Sequence, residues 1–181
     1  KTLGLAKDRQ LPVWDKAYGE PAVEPQTDKP PVILFGDTFN RSFETKNLYA
    51  ARQVLESMGY EVIEPKPDNR SVCCGRTFLA AGLVDHAKQE AARFVETVMP
   101  WIRQGIPVVG LEPSCLLTLR DEFQVLLPGK DAQILAEHAF LFEEFIEKEL
   151  SAERASLDLV DAKCSEVLVH GHCHQKAART L

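Results

Sequence analysis

Cysteine is the first residue type in this sequence whose positions suggest chemistry. Cys73 and Cys74 are adjacent and precede a glycine, and Cys115 ends the triplet Pro-Ser-Cys. The chain has five cysteines, and an odd number without a secretory context favours metal, cluster or thiol chemistry over a disulfide framework. Two adjacent thiols can point the same way only at a turn or at the start of a helix. The dipole at a helix N-terminus also favours the thiolate form, which binds metals. These thiols are therefore candidate ligands. The alternatives are two small buried residues and an incidental cysteine in a capping turn.

A second set of candidate ligands lies near the end of the sequence. His170, His172, Cys173 and His174 place four potential ligands close together, and imidazole and thiolate are common zinc ligands. Three histidines in a surface loop can also simply be solvated, but this set follows an apolar run, which favours the ligand interpretation. Cys164 lies in the polar segment before that run and is expected to be a bystander.

Alternating strands and helices must position these residues. Short apolar runs predict four strands, at 31–36, 60–65, 106–111 and 165–171. Helical periodicity predicts helices at 44–59, at 79–98 with Pro100 ending or kinking the helix, at 116–127 with Ser114 as N-cap, at 132–150 and from 173 onward. This alternation predicts an α/β fold, with a parallel sheet that carries helices on both faces.

The predicted strands bring the candidate residues to one edge of the sheet. Sites in open parallel sheets form beyond the carboxyl ends of the strands. Asp37 directly follows the first predicted strand, and Glu112 and Cys115 follow the third. Cys73 and Cys74 lie in the loop after the second, and the histidine-rich segment follows the fourth. We therefore expect these side chains to approach one another at that edge.

The overall composition argues against several classes of function. The formal net charge is −6 and basic residues are scattered among acidic ones, so nucleic acid is not an expected partner. No apolar stretch approaches the roughly 20 residues of a membrane span, and the first residues do not resemble a signal peptide. The glycine fingerprints of nucleotide sites, the nucleophile elbow and the C-x-x-C zinc spacing are all missing.

Prolines are concentrated in residues 1–30, which predicts an extended linker or arm.

Four segments of the sequence resemble a known family. They are FGDTFNRSFETKNLYAARQVLESMGYEVIEP, VCCGRTFLAAGLVDHAK, GIPVVGLEPSCLLTLRDE and LVHGHCHQKA. Together they resemble the cysteine-rich CCG region of iron–sulfur oxidoreductases, a family that includes the heterodisulfide reductase B subunit and the glycolate oxidase iron–sulfur subunit. They are similar in particular to the C-terminal part of FAD-linked D-lactate and D-2-hydroxyacid dehydrogenases. The resemblance implies a first CCG-like module at 31–160 and the start of a second at 161–181, which this chain does not complete.

The resemblance also implies a ligand set. A complete module of the family has a lone cysteine, then Cys-Cys-Gly, then C-P-S-C. Asp37 stands at the lone cysteine position and Glu112 at the first cysteine of C-P-S-C, whereas Cys73, Cys74 and Cys115 are retained. Because an iron–sulfur cluster generally needs about four cysteine ligands, this set suits a single iron or zinc ion, or an empty remnant, better than a cubane cluster. The resemblance makes Cys173 the first ligand of the second module, with His172 and His174 beside it.

The leading hypothesis for function follows from this resemblance. It is an electron-transfer or redox region of a flavin-dependent 2-hydroxyacid dehydrogenase of the D-lactate or glycolate type. The resemblance implies that FAD binds in an upstream domain that this chain lacks, so the isolated chain should have no dehydrogenase activity. The implied partner is the flavin domain of the same polypeptide or a partner subunit, and a homodimer is also compatible. The expected location is the cytoplasm, including the periphery of the inner membrane through partners.

Two other functions remain open at this point. One is a degenerate CCG domain that is purely structural and docks the flavin domain or a partner subunit. The other is a Cys/His hydrolase or transferase, with Cys115 as nucleophile, His172 or His174 as base, and Asp37 or Glu112 as the group that orients the base.

Overall fold

A parallel sheet of four strands forms the centre of the molecule. The computed structural model describes residues 8–16, 18–19, 25–66, 70–161, 163 and 166–178. The strands are β1 (Pro31–Phe35), β2 (Glu61–Ile63), β3 (Val108–Gly110) and β4 (Ala139–Leu141), in the order β2-β1-β3-β4. All three pairs are parallel, and Ile33 of β1 lies opposite both Ile63 and Val108. The predicted α/β fold with a parallel sheet is confirmed.

Helices connect the strands and flank them. In chain order they are α1 (Thr38–Ser42), α2 (Thr45–Ser57), α3 (Arg76–Ala80), α4 (Val84–Ile102), α5 (Pro113–Arg120), α6 (Glu122–Leu126), α7 (Lys130–His138), α8 (Phe142–Ser151) and α9 (Cys173–Ala178).

The two faces of the sheet form separate apolar cores. Alternate residues of a strand point to opposite faces, so Ile33 and Phe35 pack against α4 to α7, whereas Val32 and Leu34 pack against α2 and α8. Phe94 of α4 is fully buried in the first core, and burying such a side chain stabilises the fold by roughly 1.5–3 kcal/mol. Helices therefore cover both faces, as predicted.

The fourth strand is not where the sequence pattern places it. Residues 166–171, the described part of the predicted strand 165–171, form no strand, and Val167, Leu168 and Val169 are 75–92% exposed. The strand next to β3 is instead β4, which divides the predicted helix 132–150 into α7 and α8. A short apolar run cannot be assigned to strand or helix by periodicity alone, and pairing with β3 decides the matter here.

Two predicted helices also differ from those in the structure. The helical stretch after the adjacent cysteines is divided between α3 and α4 at residues 81–83, where Gly82 has a φ of 74°. Pro100 does not end α4, which continues to Ile102. The predicted helix 116–127 begins earlier, at Pro113, and is divided at Asp121 into α5 and α6.

The described parts of residues 1–30 contain neither helix nor strand, yet they contact the α/β domain. The Asp15 carboxylate accepts hydrogen bonds from the backbone N–H and hydroxyl of Thr45 at the start of α2. Trp14 stacks on Phe43, with ring centroids 4.5 Å apart. The remaining positions of this predicted linker, and Cys164, lie outside the described residues. In the described part of the chain, no helix is long and apolar enough to cross a bilayer.

Candidate functional site

Three thiols meet beyond the carboxyl ends of the strands. Cys73 and Cys74 lie in the loop between β2 and α3, and Cys115 lies in the first turn of α5, just after β3. The Cys74 thiol lies close enough to the thiols of Cys73 and Cys115 for its pKa to depend on both. Cys74 and Cys115 are 3% and 5% exposed, whereas Cys73 is half-buried. We call these three residues the thiol cluster.

Gly75 allows the cysteine pair to take this position. It precedes α3 with a φ of 73°, in the left-handed region that favours glycine. It also lies close to α4, because a Cβ at Gly75 would be 3.0 Å from the carbonyl oxygen of Ala87. The Cys-Cys-Gly sequence therefore forms the tight turn that directs the chain from the sheet edge into α3.

The adjacent thiols are held in their neutral form. A hydrogen bond with Cys74, together with burial, raises the pKa of Cys73 far above its ordinary value. A hydrogen bond with Cys115, reinforced by burial, raises the pKa of Cys74 to about 12. Both residues are therefore protonated near neutral pH and must lose a proton before they can bind a metal ion.

Asp37 follows β1 as predicted, but its carboxylate caps a helix. It is 2% exposed and accepts hydrogen bonds from the backbone N–H groups of Phe39 and Asn40 and from Asn40 Nδ2. Its neighbour Thr38 reaches the thiol cluster, with Oγ1 4.0 Å from the sulfur of Cys73. Asp37 thus positions α1 beside the thiols.

Glu112 has a similar capping role at α5. Its carboxylate accepts hydrogen bonds from the backbone N–H and the hydroxyl of Ser114, at 3.2 Å and 2.6 Å. The prediction of Ser114 as N-cap is therefore wrong. Pro113 occupies the first helical position, where its missing N–H is not needed, and this makes the preceding glutamate the cap.

His172 and His174 form a stacked imidazole pair close to Glu112. Their ring centroids are 5.1 Å apart, and His172 Nε2 lies 3.9 Å from Glu112 Oε1. Arg76 donates a hydrogen bond to His174 Nε2 at 2.8 Å. Burial and the Arg76 guanidinium lower the pKa of His174, so its imidazole is neutral near pH 7. Cys173, between them, is exposed.

The structure thus brings the predicted residues to one edge but arranges them in two groups. Both groups lie near the start of α5, whose N-cap is Glu112 and whose first turn contains Cys115. Among the described residues, no hydrogen bond joins a thiol to an imidazole, so the pairing expected of a Cys/His hydrolase is not formed. His170 is exposed beyond both groups.

The donor set does not fit a complete iron–sulfur cluster. Only three thiols meet, two of them are held protonated, and the carboxylates of Asp37 and Glu112 act as helix caps. In the residues that the structure describes, no three Cys, His, Asp or Glu side chains are arranged to hold a metal ion.

Charged residues near the thiol cluster were missed by the sequence reasoning. Arg41 forms an ion pair with Glu64, which is 3% exposed, and its Nε donates to the carbonyl oxygen of Gly36. Arg93 of α4 donates to the carbonyl oxygens of Arg70 and Ser71, just before the cysteine pair. Glu64 is a charged residue near the end of the predicted apolar strand 60–65, and this was the feature of the sequence that could have indicated a buried ion pair.

Comparison with known proteins relates the chain to oxidoreductases. Over 139 residues, 75% of the chain, it is 24% identical to a D-2-hydroxyglutarate dehydrogenase of Pantoea ananatis. Over 125 residues, 68% of the chain, it is 30% identical to one subunit of the anaerobic glycerol-3-phosphate dehydrogenase of Escherichia coli. The aligned regions cover 13% and 30% of these relatives. No family model matches the chain, and no solved structure matches it.

Proposed function

We propose that this chain is a redox domain of a flavin-dependent dehydrogenase of the 2-hydroxyacid type, with the thiol cluster as its functional centre. The observation that carries the proposal is the meeting of Cys74 and Cys115, which are distant in sequence, at the sheet edge. The similarity to two dehydrogenases supports a redox role.

The proposal assigns substrate oxidation to another part of the enzyme. The chain matches only a small share of each relative, and one relative is named as a subunit. In this proposal FAD binds in a separate domain or subunit, which is also the partner of this chain. Cys73, Cys74 and Cys115 are the proposed sulfur ligands of a single iron or zinc ion, or of an iron–sulfur cluster whose remaining ligands come from elsewhere. Cys173, His172 and His174 form the second proposed ligand group.

Asp37 and Glu112 are the proposed substitute ligands of the first group, and this role competes with their capping bonds. Each carboxylate caps its helix through one oxygen, Oδ1 of Asp37 and Oε1 of Glu112, so a metal ion would have to bind the other oxygen or displace the capping bonds. The three thiols consequently need further donors, from these carboxylates after rearrangement or from the partner.

Metal analysis tests the proposal. The chain is purified anaerobically without chelators, and iron, zinc and acid-labile sulfide are measured for the wild type and for Cys74→Ser, Cys115→Ser and Cys173→Ser. We expect Cys74→Ser and Cys115→Ser to lose the metal of the first group, and Cys173→Ser to lose only metal that the second group binds. Equal metal content in all four proteins would contradict the assignment of the thiol cluster.

The capping roles of Asp37 and Glu112 favour a second candidate function, a structural domain that docks the flavin domain. A residue that caps a helix contributes to the fold without any metal. This candidate predicts no stoichiometric metal in the anaerobic wild type. It also predicts that Cys74→Ser, if folded, binds the flavin domain as tightly as the wild type in a pull-down or calorimetric titration.

A further inference from the structure

A polar cavity opens beside Cys73, on the outer side of the thiol cluster. Its volume is about 540 Å³, and it lies between α1, the loop before α3 and α4. Three arginines line it, Arg41, Arg70 and Arg93, and the acidic residue in its lining is Glu90. We call it the arginine pocket. The pocket does not belong to the ligand set proposed above, although it shares Cys73 with it.

The charges around the arginine pocket do not cancel. Arg41 pairs with the buried Glu64, and Arg70 and Arg93 share Glu90, at 2.7 Å and 2.9 Å. Burial alone would raise the pKa of Glu90, but the hydrogen bonds from the two arginines outweigh it and lower that pKa, so Glu90 is ionised. Among the described residues, three guanidinium groups therefore face two carboxylates. One positive charge is in excess, in a chain whose net charge is −6.

Polar and apolar groups for a small organic ligand lie next to these charges. The side chain of Arg70 is 65% exposed, so it can turn toward a ligand without leaving a packed position. Tyr18 is 6% exposed and contributes a phenolic hydroxyl to the lining. Thr38 adds a hydroxyl group, and Val72 and Phe78 add an apolar wall.

We propose that the arginine pocket binds a small organic carboxylate. One excess positive charge matches a monoanion better than a phosphate dianion, and guanidinium groups recognise carboxylates through paired N–H donors. The carbon skeleton of the ligand lies against Val72 and Phe78. A ligand bound there covers the outer side of Cys73.

Calorimetric titration with a matched ligand pair tests this inference. The probes are 3-phenylpropanoate, its neutral analogue 3-phenylpropanamide, and inorganic phosphate, at constant ionic strength. We expect 3-phenylpropanoate to bind the wild-type chain and the amide to bind at least about tenfold more weakly, because the amide lacks the charge. Binding of phosphate without the carboxylate, or equal binding of acid and amide, would overturn the proposal.

Two variants and a control locate the site. Arg70→Gln should weaken 3-phenylpropanoate binding about fivefold or more, whereas Arg103→Gln should not change it. Arg103 is a matched control because its side chain is 61% exposed and pairs with Asp131, away from the pocket. Glu90→Gln should tighten binding, because it removes a competing carboxylate. An equal effect of Arg70→Gln and Arg103→Gln would refute the location. The readout needs no metal, so it is independent of the test of the thiol ligands.

Discussion

Cys74 occupies the middle of the thiol cluster, and its proton is part of the folded structure. The thiol is buried, and the neighbouring thiol of Cys115 together with burial raises its pKa to about 12. Folding therefore holds a proton that the unfolded chain releases above its ordinary pKa of 9.0. This contribution to stability is fully present below pH 9 and declines as the pH rises toward 12.

The first prediction concerns stability in alkaline solution. Between about pH 7.5 and about pH 10 the wild-type chain should lose about 1 kcal/mol of unfolding free energy through Cys74. Cys74→Ser should lose correspondingly less over the same range, because serine does not titrate there. Urea unfolding followed by circular dichroism measures both values, and Cys173→Ser serves as the exposed-thiol control. An identical pH dependence in Cys74→Ser and the wild type would show that the folded pKa is not raised.

The second prediction concerns Asp37 and Glu112. Replacing both with cysteine should increase iron–sulfur reconstitution under anaerobic conditions, because five thiols are then available at the sheet edge. The same variant should be less stable by about 1 kcal/mol for each lost helix cap. Visible absorption and acid-labile sulfide report the cluster, and thermal unfolding reports the stability.

A control variant with Asp131→Cys and Glu137→Cys adds two thiols on α7, outside the site. If it assembles as much cluster as the double variant at Asp37 and Glu112, those two positions are not the missing ligands.

At the scale of elements, the loop between β2 and α3 depends on the backbone of one glycine. Gly75 has a left-handed conformation, and its Cα lies against α4. Gly82 has nearly the same φ, 74°, but open space surrounds it. Comparing the same substitution at the two glycines therefore separates the free-energy cost of the backbone conformation from the cost of close packing.

The third prediction uses this pair. Gly82→Ala should reduce the unfolding free energy by about 1 kcal/mol, because an L-residue is strained in the left-handed region. Gly75→Ala should cost at least about 1 kcal/mol more, because its Cβ also meets the carbonyl oxygen of Ala87. Chemical denaturation of the two variants measures the difference. Equal losses would mean that the loop moves away from α4 at little cost.

Secondary structure could be predicted from the sequence where the pattern had a single interpretation. β1, β2 and β3 are apolar runs bounded by proline, glycine or polar residues, and all three were expected. β4 was not, because Ala139–Leu141 continues the apolar periodicity of its flanking helices and becomes a strand only by pairing with β3. The run at Val167–Val169 has strong strand propensity but lacks a strand partner among the described residues.

For the site as well, the sequence predicts which residues come together but not which contacts their side chains make. The meeting of the cysteines followed from the strand ends, because parallel strands place their carboxyl ends together. The capping bonds of Asp37 and Glu112 and the Arg76–His174 contact depend on side-chain geometry. Residue spacing alone does not specify that geometry.

At the scale of the whole molecule, the exposed apolar segment at Val167–Val169 is the feature most open to another protein. Its three side chains are 75–92% exposed, and an apolar segment that has no strand partner among the described residues tends to pair with strands of other molecules. This segment lies between α8 and α9, so the contact would form close to the imidazole pair.

The fourth prediction is therefore that the chain self-associates through this segment. Leu168→Lys should lower the apparent association constant in sedimentation velocity by about tenfold or more, with little change in thermal stability. Val125→Lys is the matched control, since Val125 is also apolar and 79% exposed but lies on α6. A wild-type chain that stays monomeric, or an equal effect of the two lysines, would show that the segment does not mediate self-association.

The hydrogen bonds from Arg93 to the carbonyl oxygens of Arg70 and Ser71 tie the start of the cysteine loop to α4. Because α4 has nineteen residues and packs its buried face into the larger core, the loop acquires the rigidity of that helix. The conformational entropy of the two adjacent thiols is thus lost when the chain folds rather than when a ligand arrives. A ligand of the thiols then meets a preorganised pair, and the affinity of that pair depends on an arginine that acts through the backbone of the loop.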